Sequence, residues 1–286
     1  MTSTGVLWIV GTPIGNLGDL SPRALEVLGS VDLVACEDTR RTGRLLAGLG
    51  VQVPLRSFFE GNERERLPEL LGHLGAGGSL ALVTDGGMPA ISDPGYRLVA
   101  ACVEERVDVR VVPGPSAAIA ALVVSGLPTD RFAFEGFLPR KAGDRARRLD
   151  ALRNDPRTIV IFESPRRVAQ LLRDVTATLG DRRVAVVREL TKLHEEILRG
   201  TASELAAELA DHDLRGEVVV VVEGDREPAT ADIGASVAEA QALVAGGMRP
   251  RDAARTVSAR HGVGANDVYR GLLTDPSPEE AAEDQH

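Results

Sequence analysis

Short, mostly apolar runs alternate with helix-forming stretches along most of this chain, and that alternation leaves few folds open. VLWIV (6–10), VDLVAC (31–36), SLALVT (79–84) and VDVRVV (107–112) are each of strand length and end at glycine, proline or polar residues. Helical stretches separate them: SPRALEVLGS (21–30), TRRTGRLLAGLG (39–50), LPELLGHL (67–74) and GYRLVAACVEE (95–105). In the first of these Ser21 suits an N-cap, Pro22 the first helical position and Gly29 the end. Strands separated by helices require a mostly parallel sheet covered on both faces. After the small-residue helix PSAAIAALVVSG (115–126), the pattern resumes with RTIVIFES (157–164), a helix over 165–179, RRVAVVREL (182–190) and GEVVVVVEG (216–224). The second half therefore carries a sheet of its own. The boundary falls near Pro113–Pro115, giving one α/β domain over 1–113 and a second over 114–224. DREPATADIGA (225–235) reads as a linker. Residues 236–286 read as a helical extension, with helices at 236–245, 250–260 and 264–273 and a polar end expected to fray.

Composition narrows the function. With 286 residues, 43% hydrophobic and 26% charged, the chain has the make-up of a soluble globular protein. Aromatic residues are only 3%, so the core must rest on Val, Leu, Ile and Ala. A net charge of −9 disfavours a protein that coats nucleic acid over its whole surface, but permits a local basic patch. Cys36 and Cys102 supply neither a disulfide framework nor zinc spacing, and no metal is expected. There is no basic-then-apolar leader and no apolar run of bilayer length, so the expected location is the cytoplasm.

In open parallel sheets, ligands sit beyond the carboxyl ends of the strands. The segments there are GTPIGNLGDL (11–20), EDTRRTGR (37–44), TDGGMPAISDPG (84–95), PGPSAA (113–118), Glu163–Arg166 and ELTKLHEE (189–196), all rich in glycine, proline or polar residues. TDGGMPAISDPG holds two aspartates, three glycines and two prolines, which rules out a regular helix or central strand and suggests a backbone cradle. No P-loop, no GxGxxG after the first strand, no HExxH and no GxSxG is present.

TPIGNLGDL, ACEDTRRTGRLL, LVTDGGMPAISDPG, VVPGPSAAIAAL, FESPRR and RELTKLHEE occur in this order. Together, from about Leu7 to Gly224, they resemble the ribosomal RNA small subunit methyltransferase I family of the tetrapyrrole methylase superfamily. One departure is Gly86, where that family commonly has alanine. The resemblance implies two α/β domains of tetrapyrrole methylase type with a cofactor cleft between them, and a small C-terminal helical extension. It implies S-adenosyl-L-methionine as cofactor, a homodimer, and 2′-O-methylation of a cytidine in the decoding region of 16S ribosomal RNA.

On that basis Pro13, Asp85, Gly87, Met88, Ile91, Ser116, Ala117, Phe162 and Leu190 are expected to bind the cofactor. Asp85 can accept from a cationic or hydroxyl group, Met88 and Ile91 give apolar wall, and Ser116 and Ala117 open a helix with free amides. Asp93 is read as the cap of the helix that starts near Pro94. Methyl transfer to a hydroxyl asks for in-line geometry and some help in removing a proton. The expected catalytic residues are Lys192, with a pKa lowered by burial or nearby cations, together with Asp38 and Glu163; Glu37 and Glu195 are further candidates, and Lys192 suits a phosphate contact or a plain surface position equally. Asp38 and Arg40 also suit substrate binding or, equally, a helix cap with a local ion pair.

Residues 140–173 hold ten basic side chains against four acidic ones in an acidic chain, which points to RNA phosphates. Arg140, Lys141, Arg145, Arg148, Arg166 and Arg167 are the expected contacts, with Arg40 and Arg41 as a second basic spot. FFEGNERER (58–66) reads as a further substrate loop. MRPRDAARTVSARHGVGANDVYRGLL (248–273) has a helix–turn–helix flavour and suits RNA contact, packing or dimerisation alike. The competing readings are a tetrapyrrole methyltransferase, a noncatalytic ribosome-assembly factor that binds RNA, and a sugar- or nucleotide-binding α/β protein.

Overall fold

The computed structural model describes residues 5–210, 212, 214–225, 233–261 and 263–274. Most of the expected linker at 225–235, and the polar end beyond 274, lie outside them. Strand β1 (Val6–Val10) is followed by α1 (Pro22–Ser30), β2 (Leu33–Cys36), α2 (Thr39–Gly48), β3 (Leu55–Ser57), α3 (Glu63–Gly75), β4 (Ser79–Leu82), α4 (Tyr96–Glu104) and β5 (Asp108–Val112). The five strands form a wholly parallel sheet in the order β3-β2-β4-β1-β5. Local signals set the helix starts: the Ser21 hydroxyl accepts from Ala24 N at 3.1 Å, and Pro22 opens α1. The two-residue period of the strands sorts their side chains to two cores. Leu7, Ile9, Leu80 and Leu82 pack on one face, and Val10, Ala81 and Val83 on the other.

The chain continues through α5 (Ala117–Ser125), β6 (Phe132–Phe137), α6 (Ala142–Asp150), β7 (Thr158–Glu163), α7 (Val168–Leu179), β8 (Arg183–Arg188), β9 (Glu196–Thr201), α8 (Ala202–Glu208) and β10 (Val218–Val222). The second sheet has the order β6-β7-β10-β8-β9 and is mixed. β6 is parallel to β7, while β10 runs antiparallel to both β7 and β8, and β9 antiparallel to β8. β7 and β8 therefore point the same way, with the start of β10 at the edge where they end. The five consecutive valines of β10 are all buried because both faces are covered: Val218, Val220 and Val222 meet the core under α7 and α8, and Val219 and Val221 the core under α5.

The described residues through Arg153, with Arg157–Gly224, make one compact unit holding both sheets. The remaining helices, α9 (Ile233–Ala245), α10 (Pro250–His261) and α11 (Ala265–Thr274), each pack on the other two around their own small core of Val237, Ala240, Ala253, Ala254, Val257 and Val268. One expected substrate loop is in part helical. Residues 58–66 enter α3 at Glu63, whose buried carboxylate accepts from Gly95 N at 3.1 Å and pairs with Arg97 at 3.0 Å.

Candidate functional site

A cleft of about 740 Å³ opens where the loops after β1 and β4, the start of α5, the ends of β6, β7 and β8 and the start of β10 converge. That volume is in the range of small-molecule sites, roughly 300–1,000 Å³. Pro13 lines it from the loop after β1, and Asp85, Gly87, Met88 and Ile91 from the loop after β4. Ser116 and Ala117 line it from the head of α5, Phe162 from β7 and Leu190 from the turn after β8. All nine residues expected around a cofactor thus face one cavity. Glu163, Lys192 and Arg41 share it.

The loop after β4 is stitched to the loop after β1. Thr12 and Gly87 exchange backbone hydrogen bonds, each 3.0 Å, and the buried Thr12 hydroxyl donates to the Thr84 carbonyl at 3.1 Å. Gly87 holds φ +94°, a region that L-residues rarely adopt. A Cβ at the neighbouring Gly86 would sit 3.2 Å from the Pro13 carbonyl oxygen, so the two loops nearly touch there. Two apolar lining residues are each framed by left-handed neighbours: Ile91 by Ala90 (φ 69°) and Ser92 (φ 60°), and Leu190 by Glu189 (φ 52°) and Thr191 (φ 65°). Such conformations cost about 1–3 kcal/mol each, and they concentrate at functional sites. Ser116 is the N-cap of α5, yet its hydroxyl makes no capping bond, which leaves the first turn open toward the cleft.

The polar side of the cleft is a set of carboxyl groups around Thr84. Its hydroxyl donates to Glu37 Oε2 at 3.3 Å, and Asp85 holds Arg41 at 2.9 Å. Burial, then the charge of Asp85, raises the pKa of Glu37. Burial is also the main reason that Asp93 is pushed up to about 6, with Glu37 and Asp85 adding to it and a hydrogen bond with Thr84 opposing it. Asp93 is not the expected cap. Helix α4 starts at Tyr96 behind Gly95 and has no side-chain cap bond, whereas the Asp93 carboxyl turns to Thr84 and lines the cleft.

The expectation of a lysine with a lowered pKa is also corrected. Burial does push Lys192 down, but hydrogen bonds to Glu189 (2.8 Å) and Glu217 (2.7 Å) outweigh it and leave the pKa raised. Lys192 is therefore a fixed cation that ties the turn after β8 to the start of β10. Asp38 is the N-cap of α2: it accepts from the amides of Arg40 and Arg41 and pairs with the Arg40 side chain at 3.2 Å, outside the lining of the cleft. Glu195 accepts from Thr191 N at 2.7 Å and closes its own turn. Glu163 is buried. It accepts from Ser164 N at 2.7 Å and pairs with Arg167 at 3.2 Å.

The basic segment divides in two. Arg145 is buried, paired with Asp174 at 2.5 Å and donating to the carbonyls of Pro139 and Arg140, so it does not present its charge to a partner. Arg167 shares that work by donating to Pro139 O at 3.4 Å. Arg148 is paired with Glu135 at 2.5 Å but remains half exposed. Arg140, Lys141 and Arg166 are exposed.

Several lining residues were not anticipated. Gly216, Glu217, Val218 and Val219 line the cleft from the start of β10. An antiparallel strand brings its beginning, not its end, to the ligand edge, and a run of five valines carries no sign of direction. Phe137, at the end of β6, is a second such residue.

Two five-stranded α/β sheets in one compact unit, with a cleft at their loop ends, describe a class, and comparison with known proteins identifies it. Residues 6–206 match the family model of Tetrapyrrole (Corrin/Porphyrin) Methylases. Among solved structures, a cobalt precorrin-4 methyltransferase of cobalamin biosynthesis superposes with a TM-score of 0.57 at 21% identity, covering 76% of this chain and 94% of that one. That likeness speaks for the fold alone. Two relatives named ribosomal RNA small subunit methyltransferase I lie much nearer. The one from Thermotoga maritima is 50% identical over 220 residues, 77% of this chain and 99% of the relative. The one from Micromonospora olivasterospora is 45% identical over 268 residues, 93% of this chain and 86% of the relative. The chain belongs to the ribosomal RNA small subunit methyltransferase I family of the tetrapyrrole methylases. Its cofactor is S-adenosyl-L-methionine. The cleft fits that molecule: Gly86 and Gly87 in its lining, an unspent helix start at Ser116, apolar wall from Met88, Ile91, Phe162 and Leu190, and carboxyl groups to meet an ammonium.

Proposed function

We propose that this chain 2′-O-methylates a cytidine in the decoding region of 16S ribosomal RNA, acting on the small subunit. The observation that carries the proposal is the convergence of nine motif residues on one cleft, with the exposed cations Arg140, Lys141 and Arg166 in the segments that follow its β6 and β7 walls. The relatives named above are called ribosomal RNA small subunit methyltransferase I, and the resemblance of the ordered motifs to that family implies this ribose as the target.

In this reading Pro13, Asp85, Gly87, Met88, Ile91, Ser116, Ala117, Phe162 and Leu190 hold the cofactor, which supplies an electrophilic methyl group on a sulfonium. Asp93 takes the proton lost by the substrate hydroxyl. At neutral pH it is ionised, yet with a pKa of about 6 it is a stronger base than an ordinary carboxylate. Lys192 and Glu163 are positioning residues: the first anchors the segment that carries Leu190, and the second orders Ser164 at the cleft wall and pairs with Arg167 behind it. Arg40, Arg41 and Arg148 add positive charge for phosphates. The exposed apolar side chains Val111, Ile119 and Val123 supply surface for a homodimer. The cytoplasm, where the ribosome is assembled, is the fitting location; among the described residues no helix is long and apolar enough to cross a membrane.

The test is transfer of labelled methyl groups to isolated 30S particles, naked 16S RNA and a tetrapyrrole in parallel. Label in RNA that disappears with Gly87→Trp supports the reading. Label in the tetrapyrrole alone would falsify it, and tight cofactor binding without any transfer would favour a noncatalytic assembly factor.

A further inference from the structure

Phe137 lines the cleft and is 63% exposed, in a chain where aromatic residues are only 3%. The backbone is built to put it there. Three residues apart in a regular strand, Phe134 and Phe137 would face opposite sides of the sheet. The pairing of β6 with β7 shifts register between Phe134 and Gly136, and Gly136 takes φ +58°. This bulge turns Phe137 to the side of Phe134, and both rings meet Phe162 edge-on, with centroids 5.6 Å and 4.9 Å away. A Cβ at Gly136 would lie 2.9 Å from the Ser92 hydroxyl oxygen, so glycine also lets the cofactor loop pass behind the bulge. Phe162 braces Phe137 on one side and leaves most of the ring to solvent.

The chain segments that follow two lining residues, Phe137 and Pro165, are positive. Arg140 and Lys141 follow the first in the chain, and Arg166 follows the second. None of the three has an ion-pair partner among the described residues. The segment that bears Arg140 is fixed by Arg145, which donates to Pro139 O at 3.4 Å and Arg140 O at 3.0 Å. A rigid exposed aromatic face flanked by cations is how proteins hold an unpaired nucleotide: the base stacks and the phosphates meet the charges.

We propose that Phe137 is the stacking platform for an unpaired base of the RNA substrate at the mouth of the cleft, with Arg140, Lys141 and Arg166 on the adjoining phosphates. This rests on the RNA reading above. The test compares Phe137→Ala and Phe137→Trp in the full chain, measuring the KM for unmethylated 30S particles and, by calorimetry, the Kd for S-adenosyl-L-methionine. The alanine variant is expected to raise KM about tenfold, the loss of one stacked base, with the cofactor Kd unchanged, and tryptophan to restore KM. An unchanged KM in the alanine variant overturns the platform while the RNA reading stands. So does a cofactor Kd weakened as much as KM, which would place the ring against the cofactor. If the unmodified chain transfers no methyl to RNA at all, the RNA reading fails and the platform with it.

Discussion

Asp93 holds its proton to about pH 6 because burial and two carboxylate neighbours penalise its charge, and this couples activity to stability. In its proposed role of proton acceptor Asp93 must be ionised, so kcat is expected to rise with pH through about 6. Asp93→Asn is expected to lower kcat by about 10²-fold or more and to remove that limb of the pH profile. Stability moves the other way. The folded chain binds this proton more tightly than an unfolded chain with an ordinary value of 3.8, so the contribution is complete below 3.8 and is lost as pH rises through about 6. Asp93→Asn should therefore melt higher than the unmodified chain at pH 7.5, with the difference shrinking toward pH 5. A lower melting temperature at pH 7.5 would contradict the burial argument. Gly87→Ala tests the cradle: at φ +94° it should cost about 1–3 kcal/mol in urea unfolding. Its glycine and proline content made this loop legible from sequence. Left-handed Ala90, Ser92, Glu189 and Thr191 were not, because those residue types do not advertise the conformation, and nothing local told Asp93 from a helix cap.

At the scale of elements, the connection from β6 to α6 has arginines of two kinds. Arg145→Ala removes one member of a buried pair and strips the Arg140 carbonyl of its side-chain donor, and should destabilise the chain by about 2–4 kcal/mol in equilibrium unfolding. Arg140→Ala, at an exposed position, should change stability by less than about 0.5 kcal/mol and act on RNA affinity instead. In the sequence both were simply part of a basic stretch; only burial separates them. The first sheet was legible because four of its strands are apolar and are followed by helices; β3 is only three residues long and was not. In the second sheet, β6 (FAFEGF) loses its alternation to a bulge, and the edge strand β9 (EILRGT) has its only large apolar residues, Ile197 and Leu198, side by side rather than alternating. Helix α6 buries only Arg145 and Leu149, too few apolar positions to show a period.

For the whole molecule, a net charge of −9 confines any RNA contact to a local patch. Salt dependence then counts the contacts. Each phosphate neutralised on a single strand contributes about −0.7 to the slope of log K against log salt. Replacing Arg140, Lys141 and Arg166 together by alanine should make that slope shallower by about 2, as read from filter binding across a salt series; an unchanged slope would place the RNA elsewhere. The order of the apolar strands, and the loops that follow them, could be read from alternation, whereas β3, β6 and β9 could not. The chemistry at that edge came from ordered motifs, and the antiparallel course of β10 only from the folded chain. The most direct test of the whole account is nucleoside mass spectrometry of 16S RNA from 30S particles after reaction with the purified chain and S-adenosyl-L-methionine. The account predicts one new 2′-O-methylcytidine per particle, in the decoding region. A methyl group on a base, or RNA left unmodified while the cofactor binds, would contradict it.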